Sequence, residues 1–223
     1  MRVVFMGTPD FAVPTLQALI SSHHKVVGVF CQPDKVQGRG KKLQMPPVKE
    51  VALAAEIPVY QPNSFKEEGV RQSLEALKPD VLVVIAYGKL LPLWALEVAP
   101  LGAINLHGSK LPAYRGAAPI QWSILNGDKE TALTIMKMSE GMDEGDILKI
   151  IPMAISDEDT SGTLFERMSL VGGESIVEAL DELEKGELIA VPQDHEKATY
   201  THKITKEMGL IDWSLPATSL FHL

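Results

Sequence analysis

The sequence predicts an α/β fold, an open and mostly parallel sheet with helices on both faces, and three observations carry that expectation. Short β-branched runs that are apolar on both faces alternate with longer amphipathic segments, as in a parallel sheet covered on both sides. The chain of 223 residues is long enough to bury a sizeable core without staples. Hydrophobic residues make up 45% and charged residues 22%, the balance of an ordinary soluble globular protein.

Taken in order, residues 2–6 read as a buried strand, residues 11–21 as a helix with Asp10 at its N-cap, and residues 25–30 as a second strand. Residues 57–60 form a short strand and residues 66–78 a charged amphipathic helix. Residues 80–86 are the clearest buried parallel strand, and residues 103–106 another. The pattern changes after residue 127. Residues 131–138 and 147–155 flank a turn-rich segment, which predicts strands paired differently from the rest. A long helix follows over residues 160–185, with Asp159 or Thr160 as N-cap and Gly186 at its end. The loop over residues 31–47 is the longest connection, and long loops in compact domains are often functional. Beyond Val191 the chain turns polar and is expected to be peripheral. Residues 1–205 are expected to form the catalytic domain, and residues 206–223 the start of a linker.

Composition excludes several classes. Cys31 is the only cysteine, so no intramolecular disulfide or thiolate-rich metal site can form; it reads as a small, half-buried residue at a strand end. The formal charge of −8, from 21 basic and 29 acidic side chains, argues against a broad basic surface for nucleic acid but leaves room for a basic loop. No apolar run approaches signal-peptide or membrane-spanning length, which points to a cytoplasmic protein. Gly7-Thr8-Pro9-Asp10 follows the first strand, but proline stands where a dinucleotide-binding turn needs its second glycine, so hydride transfer on NAD is not expected.

Two segments suggest chemistry. Asn105 and His107 alternate with Leu106 at the C-terminal end of a buried strand, where open α/β sheets place their ligands. A lone strand-end histidine is usually structural. An amide and an imidazole on one side, followed by Gly108-Ser109 and Pro112, suit a reaction that builds negative charge on a carbonyl oxygen. Gly141-Met142-Asp143-Glu144-Gly145-Asp146 has three readings: a solvated turn, a weak metal site, or an acid that reaches back to His107.

With these segments in hand, the chain resembles the 10-formyltetrahydrofolate transformylase family. The resemblance rests on Asn105-x-His107, Ser109-x-Leu111-Pro112, Tyr114-Arg115-Gly116-Ala117-Ala118-Pro119 and Gly141-Met142-Asp143, and runs along essentially the whole sequence. Gly38-Arg39-Gly40-Lys41-Lys42-Leu43 and Ile211-Asp212-Trp213-Ser214 are similar to the branch whose acceptor is methionine on initiator tRNA. The resemblance implies a Rossmann-like sheet and formyl transfer from 10-formyltetrahydrofolate to the α-amino group of methionyl-tRNA, with no metal, by a monomer. It implies Asn105, His107 and Asp143 as the catalytic trio. Lys89, Leu90, Leu91, Ser109, Lys110, Leu111, Pro112, Ser139, Glu140, Gly141 and Met142 would hold the folate, and Arg39, Lys41 and Lys42 the tRNA. Lys110 departs from the leucine usual in the family. Full-length relatives continue into a C-terminal β-barrel domain that this sequence does not include. The competing readings are formyl transfer to a small amine, and a non-catalytic nucleotide- or RNA-binding module.

Overall fold

The computed structural model describes residues 1–37 and 42–223. Arg39 and Lys41, expected to meet tRNA, therefore lie outside the described residues. The chain opens with β1 (Arg2–Gly7), α1 (Val13–Ser21) and β2 (Lys25–Phe30). Two short strands, β3 (Lys35–Gln37) and β4 (Lys42–Gln44), pair antiparallel before α2 (Pro47–Ala54) and β5 (Val59–Tyr60). Next come α3 (Val70–Ala76), β6 (Val81–Ile85), α4 (Leu93–Leu96) and β7 (Ala103–His107). The remainder comprises β8 (Arg115–Gly116), α5 (Pro119–Leu125), β9 (Glu130–Lys137), β10 (Ile147–Ala154), α6 (Ser161–Glu184), β11 (Tyr200–Thr201) and α7 (Ala217–Phe221).

Seven strands form one sheet in the order β10-β9-β7-β6-β1-β2-β5. The five from β5 to β7 run parallel, whereas β9 is antiparallel to β7, and β10 to β9. This is the expected Rossmann-like, mostly parallel sheet, with the change of pairing after residue 127. Alternation along β1 shows why both faces need cover. Val3 and Phe5 join the core under α1, α2 and α6, while Val4 and Met6 join the core under α3 and α4. Cys31, expected to be half-buried, is fully buried, and burial pushes its thiol pKa up to about 11.

Helix ends differ from the sequence expectation for local reasons. Asp10 is not an N-cap: it opens a 3-10 turn, Asp10–Ala12, behind Pro9, and its side chain caps nothing. The helix expected over 66–78 shrinks to α3, because Gly69 sits at φ +83 immediately before it and cannot belong to a helix interior. Thr160 rather than Asp159 caps α6: its hydroxyl accepts from Thr163 N while the Thr163 hydroxyl accepts from Thr160 N. Gly172 and Gly173 let this helix lie close to the sheet and to α1. A Cβ on Gly172 would come 2.4 Å from Leu106 Cδ2, and one on Gly173 would come 3.0 Å from the Pro14 carbonyl.

The segment beyond Val191 corrects the sequence reading. Gln193 is buried, and β11 pairs parallel with β8, bringing the chain back against the middle of the molecule. Residues 206–223 do carry no strand and no buried residue. Among the described residues, no helix is long and apolar enough to cross a membrane.

Candidate active site

From β1 the strand order moves outward to β2 and β5, then resumes on the other side with β6 and β7. Open α/β sheets leave a crevice at the carboxyl ends of strands flanking such a reversal. Here the crevice is a cavity of about 990 Å³. Val84 of β6 and Asn105 and His107 of β7 line it, together with residues 86–91, 116–121 and 138–143 from the following loops.

Strand alternation places Asn105 and His107 on one side, with Leu106 turned into the core against α6. The Asn105 amide donates one N–H to the Val84 carbonyl at 2.9 Å, which fixes the side chain and leaves its second N–H for the cavity. His107 is buried, and its Nε2 lies 2.9 Å from the Tyr114 carbonyl. A carbonyl can only accept, so Nε2 carries the proton and Nδ1 is the ring nitrogen left for chemistry. Asp143 Oδ2 stands 3.7 Å from that Nδ1 and accepts a hydrogen bond from Gly116 N at 2.8 Å. The separation is beyond hydrogen-bond reach but within ion-pair range, so the carboxylate is placed to oppose charge on the ring. Of the acids in the Gly141–Asp146 segment, Asp143 is the one that faces His107.

Backbone strain gathers around the same spot. Six described residues other than glycine have positive φ, and four of them belong here: Ala86, Ala118 and Asp143 line the cavity, and Tyr114 supplies the carbonyl for His107. Each such residue costs about 1–3 kcal/mol and persists only where its surroundings hold it. At Gly116, with φ +101, any side chain would be strained, and a Cβ would approach the Thr201 carbonyl to 2.5 Å.

The residues expected to hold a cofactor divide into two groups. Lys89, Leu90, Leu91, Ser139, Glu140, Gly141 and Met142 line the cavity. The Lys89 ammonium is held by the carbonyls of Pro62 and Asn63 at 2.8 and 2.6 Å, and partial burial lowers its pKa. The turn from Ser109 to Pro112 does not line it. Ser109 is buried, its hydroxyl donates to the Ala113 carbonyl and its carbonyl accepts from Thr134 Oγ1, while Leu111 N donates to the same Thr134 oxygen. Lys110 points outward and pairs with Glu130 at 3.0 Å. This turn braces the end of β7 against β9. Lys42 lies exposed on β4.

Sequence reasoning leaves Pro9, Phe11, Tyr87, Phe165 and Lys203 unassigned, and all five line the cavity. It also misses Gln193, whose amide bonds to the Asp143 loop, and Arg115, which holds Gln193. Arg115 stands in one of the motifs that carry the family resemblance, which is a signal without a role; Gln193 carries none.

Comparisons with known proteins agree with this geometry. The model of a family described as formyl transferase matches residues 1–180. The chain is 46% identical over 223 residues to a methionyl-tRNA formyltransferase of Alkaliphilus oremlandii, covering 100% of this chain and 72% of the relative. It is 49% identical over 223 residues to that of Marinobacter nauticus, with the same coverage. Among solved structures, phosphoribosylglycinamide formyltransferase from Bacillus halodurans aligns at a TM-score of 0.69 and 25% identity, over 82% of this chain and 95% of that one. A Helicobacter canadensis N-formyltransferase shares the fold at a TM-score of 0.74 and 18% identity, over 99% of this chain and 78% of that one. The chain belongs to the formyl transferase family and, within it, to the methionyl-tRNA formyltransferases.

Proposed function

We propose that this protein transfers the formyl group of 10-formyltetrahydrofolate to the α-amino group of methionine esterified to initiator tRNA. The observation that carries the reading is the meeting of Asn105, His107 and Asp143 in one cavity of a chain nearly half identical to proteins named for that activity. A folate donor is supported by the related fold of an Aquifex aeolicus HypX solved with tetrahydrofolic acid and of the Helicobacter enzyme solved with folinic acid.

In this reading the amine nitrogen attacks the formyl carbon, and the carbonyl electrons move onto oxygen. The free amide N–H of Asn105 and the Nδ1–H of protonated His107 stabilise that oxyanion. Asp143 supplies the opposite charge for the imidazolium and takes part in moving the proton from the amine to N10 as the C–N10 bond breaks. Residues 89–91 and 139–142 hold the folate. Arg39, Lys41 and Lys42 meet the tRNA through its phosphates. Residues 1–205 form the catalytic unit and residues 206–223 a linker, in a cytoplasmic protein.

The test is direct. The protein is mixed with 10-formyltetrahydrofolate and either methionyl-tRNA, glycinamide ribonucleotide or an amino-sugar nucleotide, and free tetrahydrofolate is followed. Release that depends on methionyl-tRNA supports the proposal; release with a small amine alone overturns it.

A further inference from the structure

We propose that Gln193 and Arg115 are positioning residues for formyl transfer, locking Asp143 in the orientation that faces His107. The inference rests on the catalytic reading of Asp143 given above.

Asp143 has φ +52, a left-handed backbone that a residue with a side chain keeps only under restraint. Two restraints are visible. From one side, Gly116 N donates to its carboxylate at 2.8 Å. From the other, Gln193 Nε2 donates to the backbone carbonyls of Asp143 and Gly145 at 2.9 and 2.7 Å. One amide thus uses both its protons to fix the Asp143–Glu144 and Gly145–Asp146 peptides. Its oxygen is fixed in turn, accepting from Arg115 Nε at 3.1 Å and from Arg115 Nη2 at 2.7 Å. Gln193 is 5% exposed and Arg115 1%, so water does not compete for these bonds.

The other hydrogen-bond partners of the Arg115 side chain are the Tyr200 hydroxyl at 3.2 Å and His195 Nδ1 at 3.3 Å, and neither is a carboxylate. A buried guanidinium normally calls for a carboxylate. Here the fork closes on an amide, and Arg115 is followed directly by Gly116, the donor to Asp143. One restraint is thus Gln193, held by Arg115, and the other comes from the residue next to Arg115. A glutamine at this position supplies what an acid cannot, two donors for the loop.

That difference supplies the experiment. Gln193→Glu keeps an acceptor for Arg115, now charge-assisted, but sets oxygen against the Asp143 and Gly145 carbonyls. Formyl transfer to methionyl-tRNA is measured in the full chain for wild type, Gln193→Glu, Gln193→Asn, Asp143→Asn and the Gln193→Glu/Asp143→Asn pair, together with Tm. Gln193→Asn keeps the amide but is too short to reach both carbonyls and Arg115, and serves should the glutamate variant fold poorly. The expected result is a Tm near wild type and an increase in hydrogen exchange over residues 139–146. With it, kcat falls about 10- to 100-fold, as for a misplaced catalytic group, while KM changes little. The double variant should be no slower than Asp143→Asn alone, since both act through one carboxylate. If Asp143→Asn is inactive but both Gln193 variants keep wild-type kcat, the positioning role is overturned and the catalytic reading stands. If the losses multiply, Gln193 acts elsewhere. If Asp143→Asn keeps full activity, the catalytic reading itself falls and this inference with it.

Discussion

Gly172 of α6 lies directly behind Leu106, the residue between Asn105 and His107: a Cβ there would stand 2.4 Å from Leu106 Cδ2. Alanine in place of a helical glycine ordinarily gains about 0.8–1 kcal/mol in propensity, but crowding a packed core costs about 1–3 kcal/mol. We expect Gly172→Ala to lower Tm and slow formyl transfer by displacing β7. Gly162→Ala, on the exposed first turn of the same helix, should leave Tm equal or higher. Thermal unfolding of the two variants side by side checks the opposite signs; a Tm rise for Gly172→Ala would mean that the helix yields freely.

His107→Ala and Asp143→Asn should each cost formyl transfer a factor on the order of 10²–10³, about 2.7–4 kcal/mol of barrier, with the fold intact. Circular dichroism and steady-state rates measured together decide this. Near-wild-type turnover in either well-folded variant removes that residue from the trio.

Lys110→Leu should leave folate affinity unchanged. The lysine stands outside the cavity, and its exposed pair with Glu130 contributes about 0–1 kcal/mol to stability. Fluorescence titration with a reduced folate tests it. A change beyond about threefold would place the turn from Ser109 to Pro112 against the cofactor after all.

Asp159 sets an acid limit. Its carboxylate accepts from Ser156 N at 2.8 Å and Thr163 Oγ1 at 2.9 Å and pairs with Arg167 at 3.0 Å, and its pKa is lowered to about 2, chiefly by the Ser156 hydrogen bond. A folded pKa below the unfolded value of 3.8 means that the stabilisation is present above pH 3.8 and disappears as pH falls towards 2. Asp159→Asn should therefore cost on the order of 1–2 kcal/mol at neutral pH and progressively less below about pH 4. Urea midpoints of both proteins, followed from neutral pH down to about pH 2.5, test the convergence; a constant gap would assign the loss to packing.

Arg39→Ala with Lys42→Ala should weaken use of methionyl-tRNA and flatten its salt dependence, by about one unit of log–log slope for each phosphate no longer neutralised. Hydrolysis of the formyl-folate without acceptor should stay at its wild-type rate. Equal formylation across a salt series would separate the loop from tRNA recognition.

The strands are readable in the sequence because a strand buried on both faces leaves a dense apolar run: residues 25–30 read with the bounds that β2 has. Asn105 and His107 are readable because a two-residue period assigns them one face. The limits come from polar residues buried by specific partners rather than by a pattern. Gln193 lies 50 residues from Asp143 and 78 from Arg115, and nothing in its neighbours' hydropathy signals burial. The turn from Ser109 to Pro112 shows how partners far along the chain fix a motif. Its motif stands beside the site, and hydrogen bonds to Thr134, which the sequence pattern does not signal, tie it to β9.

The parallel pairing of β8 with β11, Arg115 to Tyr200 and Gly116 to Thr201, bears on the order in which the molecule becomes competent. All seven strands of the main sheet are complete by Ala154, and the long helix that covers them ends at Glu184. A chain emerging from the ribosome thus carries every strand of the main sheet, with Asn105, His107 and Asp143, before the clasp at Gln193 and Tyr200 has been synthesised. The family match ends at residue 180, before Gln193 and its bonds to the Asp143 loop. If Gln193 positions Asp143 as proposed, the segment that follows the long helix completes the site after the sheet is in place.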